Sequence, residues 1–407
     1  MYYDYHMPII VSPAGKLSQI DDPKKYNEWL QQPGFTEATD EQEREFLAER
    51  RAKFITLQSG DDIKTGVYFS TVSQGGKDGY SISSGNLIKE LEKLDVPVST
   101  HYTGQKIAIL FHNPYSLPRI EAPFRIIYTM FESDKIPDDW VDYLKAADEV
   151  WVPSHWCQGT FQKAGIEPKV MQLGYNNNVY KYYERTPASK SRRNFTFLHY
   201  NAFNIRKGFT EVWKAFNAEF EKTEPVKLIL KTTQNQSPLP ITKGEYPNIE
   251  CMYGKISDNE MFDLMKRSDC LVFPSRGEGF GIDPLECMAT GMPVIVPNAH
   301  GIQEYFNPDF MYEVKVKEKC PALYARYKDI DVGEMVVCDI DDLRKKMRWI
   351  YEHQDEAMEM GKKSAEFVKD WTFAKAAAKI KTRIDEIMLL PIEKKKLLNI
   401  LTLEEVK

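Results

Sequence analysis

Glu278 and Glu286 are the residues of this chain whose type and spacing best suit chemistry. Seven residues separate them, and the loop they flank carries three glycines in five positions, Gly277, Gly279 and Gly281. Carboxylates accept hydrogen bonds from hydroxyls, so a sugar or ribose is the kind of ligand they would fix. The strand CLVFP ends at Pro274 and leads into this loop, and a helix is predicted to start at Asp283–Pro284, with Asp as N-cap and Pro as first helical residue. A glycine turn entering a helix N-terminus offers backbone N–H groups and a positive dipole end, which suits a diphosphate. Asp283 and Glu286 also have capping-box spacing, which would give Glu286 a structural role alone.

Holding such a loop calls for parallel strands with helices between them. From Thr65 the chain supplies TGVYFSTV, then a glycine-rich loop with Gly75–Gly76 entering a helix, then the apolar runs KIAILFH, RIIYTMF and EVWVPS, with a helix starting near Ser154 or His155. After a polar stretch, Gln172 to Asn194, the alternation restarts with NFTFLHY, a helix carrying Trp213, Phe216 and Phe220 on one face, VKLILK, a helix capped by Ser257 and Glu260, CLVFPS and PVIVP. From Asp341 the chain reads as helical, with breaks at Trp371–Thr372 and near Pro391. The fold class is therefore α/β, two Rossmann-like doubly wound parallel sheets in tandem. The expected division is an N-terminal extension (1–62), a first Rossmann-like domain (63–180), a second (181–372), and C-terminal helices (373–407) that cross back to the first. The extension holds a charged segment, Thr39 to Phe54, that reads as a helix starting near Thr39 or Asp40 and acting as a docking arm or a flap.

EGFG followed by ECMATGMPVI resembles the E-x7-E signature of retaining GT-B glycosyltransferases, especially glycosyltransferase family four. The likeness extends through YGKISDNEMFDLMKRSDCLVFPS, GIQEYF and YNAFNIRKGFTEVWKAF, and more weakly through Tyr128 to Gly174. It implies a GT-B fold with the donor site mainly in the second domain and the acceptor domain first. It also implies transfer of a sugar from a nucleotide-diphosphate sugar with retention of anomeric configuration, the departing diphosphate assisting the acceptor. No protein nucleophile is then needed, and no cofactor beyond the donor substrate.

Carried over residue by residue, the resemblance gives Glu278 the donor sugar, Glu286 the ribose, and the backbone of Gly279, Phe280 and Gly281 the sugar and phosphates. Lys207 matches the lysine that meets the diphosphate, where cations offset the leaving group's charge. The matching arginine is expected about six residues earlier, where this chain has Asn201, and Arg206 or Lys231 are the candidates to replace its charge. Gly76 would pass near the donor phosphates, His112 would close over the sugar, and Glu132 matches a similar acid in a related branch. The base would be held mainly by backbone from Tyr253 to Ile256. His155 reads as a neighbour of a helix cap.

Composition sets outer limits. With 407 residues, 42% hydrophobic and 28% charged, the chain is of ordinary globular type and long enough for two cores. A net charge of −6 argues against a surface that coats DNA, although Ala188 to Asn194 is locally basic and a modified DNA base stays an open acceptor beside a glycan, a protein or a small molecule. No apolar run is long enough to span a membrane, and the first residues do not read as a secretory signal. Six scattered cysteines without C-x-x-C spacing suggest a reducing, cytoplasmic setting. Two D-x-D triplets, 329–331 and 339–341, read as a surface loop and as the start of a helix at Asp341 or Asp342, so no metal is expected. A GT-B sugar phosphorylase and a non-catalytic GT-B-like binding protein are the competing readings, the second favoured by Asn201.

Overall fold

The structure is a computed structural model that describes residues 9–14, 17–19, 30–39, 42, 64–71, 79–119, 122–191, 193–234, 246–324, 327, 330–390, 398–399 and 404–405. Three short strands, β1 (Ile9–Val11), β2 (Leu17–Gln19) and β3 (Thr36–Glu37), form a small antiparallel sheet. Thr39 and Gln42 then exchange backbone-to-side-chain hydrogen bonds of 2.9 and 3.2 Å, the reciprocal pattern of a helix start. The rest of the expected helix in the extension lies outside the described residues, as do Gly75 and Gly76.

The first large sheet contains β4 (Lys64–Thr71), β5 (Val98–Ser99), β6 (Gln105–Phe111), β7 (Phe124–Tyr128), β8 (Glu149–Val152) and β9 (Lys169–Val170), in the order β5-β4-β6-β7-β8-β9. The second contains β10 (Phe195–Tyr200), β11 (Val226–Lys231), β12 (Ile249–Met252), β13 (Cys270–Val272), β14 (Val294–Val296) and β15 (Tyr312–Glu313), in the order β12-β11-β10-β13-β14-β15. The second sheet is parallel throughout. Every residue of β6 and β10 is buried. Helices cover both faces of a parallel sheet, so its strands are continuous apolar runs and not alternating ones. An antiparallel hairpin follows, β16 (Val316–Pro321) with β17 (Glu334–Cys338).

Several element boundaries differ from the sequence expectation. RIIYTMF is strand only to Tyr128, and Met130 to Pro137 runs on without regular structure until a short turn begins at Asp138. The helix Phe209–Glu219 buries Phe209, Val212, Ala215 and Phe216, whereas Trp213 is half-buried against Tyr246. The helix after the glycine loop spans Ile282–Ala289, so it begins before Asp283. Its N-cap is Gly281, at φ 87°, a left-handed conformation that glycine adopts without strain. Likewise the helix Ile340–Glu352 is capped by Asp339, whose carboxylate accepts from the amides of Asp341 and Asp342, earlier than expected. Ser257 and Glu260 form the expected capping box on the helix Asp258–Lys266.

Contacts divide the chain into two compact units. One comprises Met1–Thr129, Asp139–Trp151 and Lys381–Lys407; the other comprises Met130–Asp138 and Val152–Ile380. In the first unit, the end of the helix Phe373–Leu389 is tied to β6, because the Lys106 ammonium donates to the carbonyls of Met388, at 2.8 Å, and of Leu390. The last carbonyls of a helix have no partner within it, and a lysine meets that need.

Candidate functional site

In the second sheet, strand order reverses direction between β10 and β13, the place where an open α/β sheet leaves a crevice at the carboxyl ends of its strands. The loops after β10, β13 and β14 meet there. After β10, Asn204 accepts a hydrogen bond from the Lys207 amide at 3.1 Å, which shapes a short turn, Ile205–Lys207, with Arg206 and Lys207 both buried.

Glu278, from the loop after β13, is the centre of the cluster. The Lys207 ammonium donates to its Oε1 at 2.7 Å, and the Ser275 hydroxyl donates to the same oxygen at 2.5 Å. Arg206 Nη1 donates to the Gly277 carbonyl at 2.6 Å and lies 3.4 Å from Glu278 Oε2. Arg206 Nη2 is 3.4 Å from Glu132 Oε1, and the Tyr324 hydroxyl donates to Glu132 Oε2 at 3.1 Å. Burial alone would raise the Glu278 carboxyl, but the charges of Lys207 and Arg206, with the bonds from Lys207 and Ser275, hold it at about 2. A buried carboxylate paired on both sides in this way is a preformed anion–cation array.

The glycines of the loop allow close backbone packing. A Cβ on Gly277 would stand 2.0 Å from the Glu132 carbonyl oxygen, and one on Gly301 would stand 2.3 Å from the Gly279 carbonyl carbon. The Gly301 amide donates to the Glu278 carbonyl at 2.8 Å, and the Ser154 hydroxyl donates to the Gly279 carbonyl at 2.7 Å. The Phe280 ring is buried against Tyr305 and Trp371, and the Tyr305 hydroxyl donates to the Gly281 carbonyl. The loop is therefore fixed from three sides before any ligand arrives.

A second acidic group lies alongside. Asn201 Nδ2 donates to Asp283 Oδ2 at 3.0 Å, and the Tyr200 hydroxyl donates to the Asp283 carbonyl at 3.0 Å and to Glu286 Oε2 at 3.3 Å. Asp283 and Glu286 thus serve other partners and do not make the capping box their spacing suggested. Burial, and then the charges of Asp283 and Asp258, push the Glu286 carboxyl well above the usual range; burial also raises Asp283.

The other expected residues are placed as follows. Lys231 directs its ammonium to the carbonyls of Thr232 and Gly254, at 2.9 and 2.5 Å, bracing the loop after β12. In that loop Tyr253 is exposed and Ile256 half-buried. His112 belongs to the first unit, directly after β6, where burial lowers it to about 4. Gly76 lies outside the described residues. His155 follows the cap Ser154 and meets Glu304 at 2.9 Å. Asp331 accepts from the Gly333 amide and pairs with Lys135; Asp329 lies outside the described residues. No group of three or more His, Cys, Asp or Glu among the described residues is placed to hold a metal ion. Ser275, Tyr200, His300 and Tyr324 were not singled out from the sequence, and Asp283 was expected only as a helix cap. Only the phrase GIQEYF, directly after His300, hinted that the loop beyond β14 belongs here.

Two six-stranded parallel α/β sheets with this crevice define the GT-B glycosyltransferase fold. Anabaena HepE, solved in complex with UDP and glucose, superposes with a TM-score of 0.57 over 79% of this chain and 100% of its own, at 14% identity. Residues 183–325, which contain Asn201, Arg206, Lys207, Glu278 and Glu286, match the family model described as Glycosyl transferases group 1. Among curated relatives, a Sulfolobus islandicus filamentous virus protein named as a glycosyltransferase is 24% identical over 44% of this chain and 58% of its own length. The O-antigen chain mannosyltransferase RfbU of Salmonella typhimurium is 35% identical over 18% of this chain and 24% of its own. The chain therefore matches little more than half the length of the first relative and about a quarter of the second. No helix among the described residues is long and apolar enough to cross a membrane.

Proposed function

We propose that the chain moves a sugar from a nucleotide-diphosphate sugar to a hydroxyl acceptor, with retention at the anomeric carbon. The observation that carries this reading is the Lys207–Glu278–Arg206 array beneath the glycine loop, two cations and a carboxylate at a helix N-terminus. Its pieces match the pieces of the substrate. The diphosphate takes the cations and the dipole end of the helix, and Glu278, released from Lys207, accepts from sugar hydroxyls. Arg206 supplies the second positive charge, because Asn201 is neutral and engaged with Asp283. Glu286, held by Tyr200, faces the ribose. The bond between the anomeric carbon and the diphosphate oxygen breaks as the acceptor oxygen bonds to the same face. The departing diphosphate takes the acceptor proton, and Lys207 and Arg206 stabilise the charge that develops on it, the role a metal ion fills in other transferases. A hexose donor fits the UDP and glucose bound to Anabaena HepE, which shares the fold, and the mannosyltransferase named among the relatives. Six unpaired cysteines suit a cytoplasmic location.

The test is a panel of UDP-, GDP-, ADP- and CDP-hexoses, scored by thermal stabilisation and nucleotide release. One nucleotide-sugar should raise the melting temperature and be turned over slowly. Glu278→Ala should lower that turnover by about 10²–10³ while the variant still melts cooperatively. Unchanged turnover in that variant would sink the assignment. Asn201 favours a second reading, a sugar-nucleotide binding protein without turnover, and stabilisation by a donor with no nucleotide release would select it.

A further inference from the structure

The loop after β14 contains a residue that the donor array does not explain. His300 has a backbone φ of 46°, in the left-handed region, and together with Asp95 it is one of two non-glycine residues with positive φ among the described residues. Side chains with a Cβ adopt that region at a cost, and such strain persists where the surroundings hold it in place for a purpose. His300 is buried, and its Nε2 lies 3.0 Å from the Ser275 carbonyl oxygen. A carbonyl can only accept, so Nε2 carries the proton and Nδ1 is a bare acceptor. That Nδ1 is buried and has no hydrogen-bond partner among the described residues. A buried polar atom without a partner is costly, and in a native protein it calls for an occupant or a role.

The surroundings narrow what the occupant is. Glu278, Arg206 and Lys207 are the charged groups that act on His300, and Gly301, the next residue, donates to the Glu278 carbonyl. Burial lowers the imidazole to about 4, so it is neutral at physiological pH and Nδ1 accepts without repelling a cation. An acceptor cannot bind a phosphate oxygen, which has no proton to give. It can take a hydroxyl proton; the proposed site gives the ribose to Glu286 and the sugar hydroxyls to Glu278, beside which His300 lies, so the transferred sugar is its partner.

We infer that His300 is a specificity-determining residue whose Nδ1 accepts a hydrogen bond from one hydroxyl of the donor's sugar, so that it reads the sugar and not the nucleotide. This rests on the glycosyltransferase reading above. It adds to that reading a division of labour: Lys207 and Arg206 fix the diphosphate, and His300 with Glu278 tests the hexose.

The experiment compares wild type, His300→Gly and His300→Asn with the hexose donor the panel identifies. Glycine accepts the left-handed backbone without strain and removes the imidazole. Asparagine tolerates the same backbone and restores an acceptor. His300→Gly should raise the donor KM roughly tenfold, the effect of one lost hydrogen bond. The affinity for the matching nucleoside diphosphate alone, measured by thermal shift, should stay the same. His300→Asn should recover part of the loss. Monodeoxy versions of the hexose give a second readout: one position should matter to wild type and cease to matter in His300→Gly. Equal losses for the donor and for the bare nucleotide would overturn the proposal, showing that His300 only braces the loop. Unchanged KM in His300→Gly would overturn it too, leaving a buried water as the partner of Nδ1. A wild-type chain that turns over no donor would instead overturn the glycosyltransferase reading, so the two failures are distinguishable.

Discussion

At the scale of single residues, the site holds two glutamates in opposite electrostatic states. Glu278 stays ionised because Lys207 and Arg206 surround it, whereas burial and the neighbouring Asp283 and Asp258 make Glu286 resist ionisation. A carboxyl whose folded pKa is raised keeps its proton when the unfolded chain has lost it, so above about pH 4.5 it lowers stability as pH rises. Glu286→Gln keeps an oxygen for the Tyr200 hydroxyl and removes that liability. Its melting temperature should exceed that of wild type at pH 7, with the gap closing towards pH 4.5; a variant less stable at both pH values would contradict the assignment. The sequence could bring these two glutamates together but not tell them apart. Spacing marks a shared loop, while the difference between them comes from Lys207, 71 positions away from Glu278, and from Asp258 on another helix. The same holds for His300, whose sequence neighbours do not reveal that Ser275 will sit against its ring.

At the scale of elements, long apolar strands were legible and their ends were not. NFTFLHY and VKLILK are buried nearly throughout, and burial is what an apolar run records. The start of the helix after the glycine loop was misread because proline and aspartate are good local signals, while the deciding event is the left-handed turn at Gly281. Glu132 was legible only through family likeness, since its contact with Arg206 depends on the irregular segment 130–138, which the hairpin β16–β17 grips through Ser133 to Val332 and Asp134 to Glu334. Two element-level outcomes follow from packing. Gly301→Ala puts a methyl 2.3 Å from the Gly279 carbonyl carbon, so the glycine loop must move; the variant should lose donor-induced thermal stabilisation along with a few kcal/mol, on the order expected of overpacking. Lys106→Met removes both bonds to the end of the helix Phe373–Leu389 and should cost about 1–3 kcal/mol. Amide exchange should accelerate over residues 385–390 while the second sheet keeps its protection.

At the scale of the whole molecule, buried histidines weaken the fold in acid. Burial lowers His112, His199 and His300 each to about 4. In the unfolded chain they would titrate near 6.5, so between pH 6.5 and 4 the unfolded state binds more protons and stability is lost as pH falls. Glu278 continues the trend from about 4.5 down to about 2, because its folded pKa is depressed. Glu286 acts in the opposite sense, so the Glu286→Gln background isolates the effect. There the melting temperature should fall steadily from pH 6.5 to 4, and a flat profile would show that the histidines are solvated.

The bond between Lys106 and Met388 spans 282 positions, and residues 381–407 are grouped with the first unit although the second closes at Ile380. During synthesis, at about 5–20 residues per second, Lys106 is added to the chain on the order of 15–60 s before its partner carbonyl is made. Over that interval the carboxyl-terminal unit can complete its own sheet, while the amino-terminal one still lacks its closing helix. The order of birth and the order of completion are therefore reversed, and the half made first is the one that a chaperone would have to shelter longest.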